Sequence, residues 1–138
     1  MRILVVDDEA CLARAVHRGL KDHDVTVELH SAKAFERVAA AEAAGEPYDL
    51  VLCDYSMKPL TGVEVASGLR TGVRPPMLIL MTGYDAVSDA DRLIVDAVLL
   101  KPFNTAQLVE TIEGVRAARR RKQTRRMRTL RPTDGLYG

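Results

Sequence analysis

What most constrains this chain is a regular exchange of two residue patterns along its length. Short apolar runs at 2–6 (RILVV), 25–29 (VTVEL), 48–53 (YDLVLC), 77–81 (MLILM) and 95–100 (VDAVLL) are separated by longer amphipathic stretches. Short runs rich in Val, Ile and Leu read as β-strands. Three of them are almost wholly apolar, as strands covered by helices on both faces must be, whereas 25–29 alternates and is expected at a sheet edge. Between them the spacing predicts helices over about 9–21, 32–44 and 62–71, a weak one near 86–93, and a long one from about 104.

Local signals support these helices. Ser31 stands where an N-cap would open the second helix, Gly45 follows as a stop, and Pro47 forbids continuation. Asn104 or Thr105 can cap the last helix, and Leu108, Ile112 and Val115 form a stripe that should face the sheet. Strand and helix thus alternate five times. Right-handed crossovers then give an open parallel sheet in a doubly wound α/β domain, (βα)5, with the carboxyl ends of its strands converging on one crevice.

Composition removes several other classes. The 138 residues suit one domain, and 47% apolar with 28% charged residues describes a soluble globular chain. No apolar run approaches the roughly 20 residues that span a bilayer, and MRILVVDDEA turns acidic too early for a signal peptide. The expectation is a cytoplasmic protein with no membrane insertion. Cys11 and Cys53 lack CxxC spacing, which argues against zinc or a disulfide framework, and both are expected to be small buried or half-buried side chains. His17, His23 and His30 match no metal-ligand spacing and are expected to be structural or solvent-facing.

The decisive residues stand at the predicted strand ends. Strand 1 ends in Asp7-Asp8, strand 3 in Asp54, strand 4 in Thr82-Gly83 and strand 5 in Lys101-Pro102. Each alone is commonplace: a turn, a cap, a Lys-Pro step. Together, four strands deliver three carboxylates, a hydroxyl and an ammonium to the end where open α/β sheets bind ligands. Clustered carboxylates repel and call for a hard cation, of which Mg²⁺ is the natural one, with Asp8 and Asp54 as the direct ligands and Asp7 acting through water. Asp54 is then a nucleophile able to form an acyl phosphate, Thr82 a donor to a phosphoryl oxygen, and Lys101 a cation that pairs with Asp54 before transfer and with the phosphoryl group after it.

On these residues, positions 1 to about 118 resemble the receiver domain of two-component response regulators. The segments that carry the likeness are ILVVDDEA, YDLVLCDYSM with Gly62 eight positions past Asp54, MLILMTGY, and VLLKPF. The resemblance implies a flavodoxin-like sheet of order 2-1-3-4-5, with Asp54 as phosphoacceptor, Asp7 and Asp8 as the acidic pair, Thr82 as the switch hydroxyl and Lys101 as the family's lysine. It further implies a cis peptide before Pro102 and Mg²⁺ held by Asp7, Asp8, Asp54 and the backbone carbonyl of Ser56. It implies as donor a histidine kinase or histidine phosphotransfer protein, and as output a downstream protein target. Such a protein is not an enzyme beyond catalysing its own phosphorylation and dephosphorylation.

Three departures from the family pattern concern the readout. Lys58 intervenes between Met57 and Pro59, placing a cation beside the site that is expected to be solvated. Val98 occupies the position of a customary aromatic switch, and Tyr84 is a candidate surface substitute or an ordinary loop aromatic. The segment from Gly83 to Leu100 is short, which predicts a shortened or irregular fourth helix and an altered dimerisation face.

The net charge of +1 hides an asymmetry. Residues 1–115 hold 11 Lys and Arg against 18 Asp and Glu, a balance of −7, whereas 116–138 hold 9 against 1, or +8. The domain boundary is accordingly placed at 118, with 119–138 a basic extension of the last helix that should end near Pro132. A solvated terminus, binding to nucleic acid or an acidic partner, and attraction to the acidic body within or between molecules, as in a homodimer through the last helix, are the competing uses. If the chain is complete its output is protein binding, and if it is a fragment the tail begins a linker. A phosphatase-type hydrolase on a similar sheet is the competing chemistry, but it would place a second Asp where Ser56 stands. A nucleic-acid-binding protein that uses the fold as a scaffold is the other competitor.

Overall fold

The computed structural model describes residues 1–83 and 87–130. In chain order its elements are β1 (Arg2–Val6), α1 (Ala10–Gly19), β2 (Asp24–Glu28), α2 (Ala34–Ala43), β3 (Leu50–Asp54), α3 (Gly62–Arg70), β4 (Met77–Thr82), α4 (Asp89–Arg92), β5 (Ala97–Leu100) and α5 (Thr105–Leu130). The strands form one sheet in the order β2-β1-β3-β4-β5. Every pairing is parallel, with Val5 opposite Leu52, Leu52 opposite Ile79 and Ile79 opposite Ala97.

Alternation along the central strands feeds two cores, because successive side chains point to opposite faces. Ile3, Val5, Leu52, Ile79 and Met81 pack with α1 through Ala13 and Val16 and with α5 through Leu108, Ile112 and Val115. On the other face Leu4, Val6, Val51, Cys53 and Leu80 pack with Val38 of α2 and Val65, Ala66 and Leu69 of α3. Burial on both faces is why the central strands are continuously apolar. Each fully buried aliphatic side chain contributes about 1.5–3 kcal/mol. The alternating β2 does lie at an edge, with Val25, Thr26 and Val27 only half-buried.

Helix termini follow their sequence signals with one correction. Gly45 adopts φ 74°, and the N–H groups of Gly45 and Glu46 donate to the carbonyls of Glu42 and Ala41, a glycine stop for α2. Asn104 caps α5 reciprocally with Gln107: each backbone N–H donates to the other's side-chain oxygen, at 2.9 and 2.8 Å. Ser31, however, does not cap α2. It opens a short 3₁₀ turn (Ser31–Lys33), and its buried hydroxyl accepts from Leu60 N–H at 3.1 Å, tying the α2 entrance to the loop before α3.

Cys11 also differs from expectation. It is exposed on α1, while Cys53 is buried on β3. His17 and His30 face solvent, and His23 lies half-buried, its Nδ1 3.2 Å from the chain's amino terminus. The fourth helix is a single turn of four residues, as the short segment predicts. Tyr84 and Pro132 lie outside the described residues. Among the described residues no helix is long and apolar enough to cross a membrane.

Candidate functional site

The carboxyl ends of β1, β3, β4 and β5 bring the predicted residues together. Oxygens of Asp7, Asp8 and Asp54 lie within 4.8 Å of one another. Asp7 and Asp54 are buried, at 0% and 4% exposure, while Asp8 opens to solvent, so the cluster has a dry floor and a wet mouth. Lys101, at the end of β5, reaches in from the side. Its Nζ stands 3.0 Å from Asp54 Oδ1 and 3.7 Å from Asp7 Oδ2.

Backbone geometry fixes this placement. Asp54 is the last residue of β3, and the following N–H, that of Tyr55, donates to Met81 O at 2.8 Å, holding β3 to β4 past its end. Thr82 ends β4 with its side chain buried, and its carbonyl accepts from Lys101 N–H at 2.7 Å. The Lys101-Pro102 peptide is cis, as predicted, and so is Lys58-Pro59, which no signal weighed in the sequence had marked. Gly62 opens α3 against Asp54 itself. A Cβ there would come within 2.3 Å of the Asp54 carbonyl oxygen and 2.9 Å of Leu80 Cδ2.

Burial acts on the ionisation of Asp7 and Asp54. Burial pushes Asp7 up to about 6, helped by the charge of Asp54, while the Glu9 N–H at 2.8 Å and Lys101 pull it back. Burial also raises Asp54, against the Lys101 hydrogen bond and charge and the N–H of Ser56. Asp7 Oδ2 is fully buried with no hydrogen-bond partner. A buried carboxylate oxygen without a hydrogen bond is costly, and here only the Lys101 ammonium at 3.7 Å offsets it, on a residue clustered with two more carboxylates. A hard divalent cation with oxygen ligands fits that donor set.

Beside the cluster runs a recess of about 670 Å³ lined by Asp8, Tyr55, Ser56, Met57, Thr61 and Asp91, with Lys58 at its rim. Lys58 is exposed and has no ion pair among the described residues, matching a solvated side chain. Val98 is half-buried against the α3-side core. Three features escaped the sequence reading. The Tyr55 hydroxyl donates to Asp91 Oδ2 of α4 at 3.4 Å, and Arg70 of α3 donates through Nη1 to the Leu93 carbonyl. Another is Glu28: burial opposes its ionisation, but Arg37 at 2.9 Å and the His30 N–H hold its carboxyl below the ordinary value.

Residues 3–113 match the family model described as the response regulator receiver domain. The chain belongs to the response regulator receiver family. Among curated relatives, Response regulator MprA of Mycobacterium ulcerans is 37% identical over 120 residues, covering 83% of this chain and 50% of that protein. Response regulator ArlR of Staphylococcus epidermidis is 29% identical over 116 residues, covering 82% of this chain and 51% of its own length. The receiver chain therefore spans about half the length of the curated relatives it matches. Among solved structures, response regulator TrrA of Thermotoga maritima in complex with Mg(2+)-BeF is 28% identical, with a TM-score of 0.71, covering 83% of this chain and 97% of that one. Chemotaxis response regulator CheY4 of Vibrio cholerae, at 24% identity and TM-score 0.66, shares the receiver fold over 83% of this chain and 97% of that one.

Proposed function

We propose that this receiver accepts a phosphoryl group onto Asp54 from a phosphohistidine donor, a histidine kinase or histidine phosphotransfer protein, and that the acyl phosphate switches protein interactions. The observation that carries the reading is the Lys101 ammonium 3.0 Å from Asp54 Oδ1 inside a cluster of carboxylates at the strand ends. The cation is placed to hold the acceptor ionised and then to bind the group it receives. In the transfer a carboxylate oxygen of Asp54 attacks phosphorus, the P–N bond to the donor imidazole breaks, and the imidazole leaves with its electron pair and takes up a proton. Asp7, Asp8, Asp54 and the carbonyl of Ser56 would hold Mg²⁺, whose contribution when bound is to neutralise the phosphoryl oxygens.

Once Asp54 is phosphorylated, Thr82 and Lys101 bind the new oxygens better in one loop arrangement than in another, which is a population shift. With Val98 in place of a ring, that shift reaches the surface by another route than an aromatic rotamer. The catalytic role is confined to the protein's own phosphorylation and dephosphorylation. The receiver domain proper is assigned to 1–118, closed by the stripe that ends at Val115, with 119–138 an extension, and its site of action to the cytoplasm. Homodimerisation through α5 is consistent with the altered α4 face.

Incubation with a small phosphodonor and Mg²⁺, followed by intact mass, tests the assignment. A gain of one phosphoryl group that Asp54→Asn abolishes is expected. Folded wild-type protein that gains none, or an Asp54→Asn variant that gains it equally, overturns the proposal.

A further inference from the structure

α5 does not stop where the domain does. Its apolar stripe ends at Val115, yet the helix runs on to Leu130. From Arg119 to Leu130 it carries seven cations and no acid, on a projection of about 18 Å. The base of this projection is fixed to the body: Arg119 Nη2 donates to the Pro75 carbonyl at 2.9 Å. Between helix and body lies a cleft of about 830 Å³, at the end of the sheet opposite Asp54. Arg74, Lys122 and Arg126 line it over a floor that includes Pro75 and Pro76. Its two acids are already engaged by backbone: Asp49 accepts from Arg2 N–H at 2.8 Å and Asp96 from Leu78 N–H at 2.7 Å. None of Arg74, Lys122 and Arg126 has an ion pair among the described residues.

We propose that the α5 extension and Arg74 together form a binding surface for the phosphate backbone of duplex DNA. Three observations choose this occupant. Arg121, Arg125 and Arg128 do not line the cleft, so charge surrounds the helix, and the polyanion it fits extends beyond a single nucleotide seated in the cleft. No apolar stripe continues past Val115, and Met127 and Leu130 make only one exposed i, i+3 pair at the end of the helix, so the extension lacks both the repeating seam a second helix would need and the apolar face that seats a helix in lipid. A cationic helix of this diameter enters the major groove of B-form DNA, where phosphates flank it on both sides, but not the narrow, deep major groove of an RNA duplex. Contacts of this kind neutralise phosphates and carry little sequence information.

The test is fluorescence anisotropy of the full chain with a labelled mixed-sequence DNA duplex over a salt series, with EDTA present so that the carboxylate cluster holds no cation. Neutralising six phosphates gives a slope of log affinity against log salt of about −5. Arg125→Glu/Arg126→Glu/Arg128→Glu, changed together on exposed positions, should weaken binding about thirtyfold or more and flatten that slope, with an unaltered thermal melt. Arg74→Glu alone should weaken it several-fold, because the body contributes to the surface. Unchanged affinity in Arg74→Glu overturns the cleft, and equal affinity for an RNA duplex overturns the groove placement. Absence of DNA binding at about 50 mM salt overturns the whole, as does DNA binding that the triple variant leaves intact. Capture by phosphatidylserine vesicles or by nucleoside triphosphate without DNA binding, or salt-sensitive self-association in sedimentation without it, also overturns it in favour of those ligands.

Discussion

Lys101 Nζ lies 3.0 Å from Asp54 Oδ1 and only 3.7 Å from Asp7 Oδ2, so one ammonium serves two buried carboxylates at the ends of different strands. Among the described residues it is the cation in direct contact with Asp54. Lys101→Ala should therefore slow Asp54 phosphorylation by a small phosphodonor at least tenfold, in line with the loss of one charged donor from a preorganised site. Lys101→Arg should keep the charge but not the geometry, and so recover only part of the rate, because a planar fork replaces a point charge. Quenched time courses read by intact mass check both. Equal rates in wild type and Lys101→Ala would remove the lysine from the transfer step.

The Asp7 carboxyl makes stability pH-dependent with an unusual sign. Its folded value of about 6 lies above the ordinary 3.8, so the folded state binds the proton more tightly than the unfolded state does. Its contribution is most favourable below pH 3.8, declines as pH rises through the window up to about 6, and is a full cost at neutral pH. That cost is about 2–3 kcal/mol by linkage. Asp7→Asn should raise the urea midpoint of the metal-free protein at pH 7 and leave it little changed at pH 4. Mg²⁺ should raise the thermal midpoint of wild type and not that of Asp7→Asn. A wild-type protein whose stability climbs from pH 4 to 6 on account of this site, judged by the difference from Asp7→Asn, contradicts the sign.

Gly62 is fixed by what it touches, since a Cβ would meet the Asp54 carbonyl oxygen at 2.3 Å. The obstacle is backbone and cannot rotate aside. Gly62→Ala should cost about 2 kcal/mol, despite alanine's better helix propensity, and should shift the acceptor enough to lower its phosphorylation rate. Chemical denaturation and the mass assay measure the two effects separately. A stabilised Gly62→Ala would mean that α3 moves off the acceptor strand freely.

Much of this was legible in the chain because each signal was local. The apolar runs of β1, β3 and β4 are buried on both faces, so their pattern is unmixed, and the residue after or at the end of each run falls at the carboxyl edge of the sheet. Asp7, Asp8, Asp54, Thr82 and Lys101 could be placed in one crevice by counting to strand ends. What could not be read were contacts made across the fold. Ser31 has the chemistry of an N-cap, but a backbone N–H from Leu60, distant in sequence, claims its hydroxyl. Cys11 is a small residue on a helix, and only the turn of α1 against the sheet decides that it faces water. The overhang of α5 was visible as a run of charge, whereas the cleft beneath it exists because Arg119 finds the Pro75 carbonyl.

The Tyr55 hydroxyl, next in sequence to the acceptor, is tied to Asp91 in the one-turn α4 at 3.4 Å. With Val98 supplying no ring, this bond and the Arg70 contact to the Leu93 carbonyl are the polar links that join the acceptor side of the sheet to α4 among the described residues. A helix of a single turn has little stability of its own, so such links decide whether it stays formed. Tyr55→Phe keeps the ring and deletes the donor. It should cost less than about 1 kcal/mol globally, since the bond is long and part-buried, but should speed amide exchange across residues 89–94 several-fold. The same segment should change its exchange when wild type is phosphorylated, and that response should shrink in Tyr55→Phe. Identical exchange in the two proteins, phosphorylated and not, would show that Tyr55 carries nothing from Asp54 to α4.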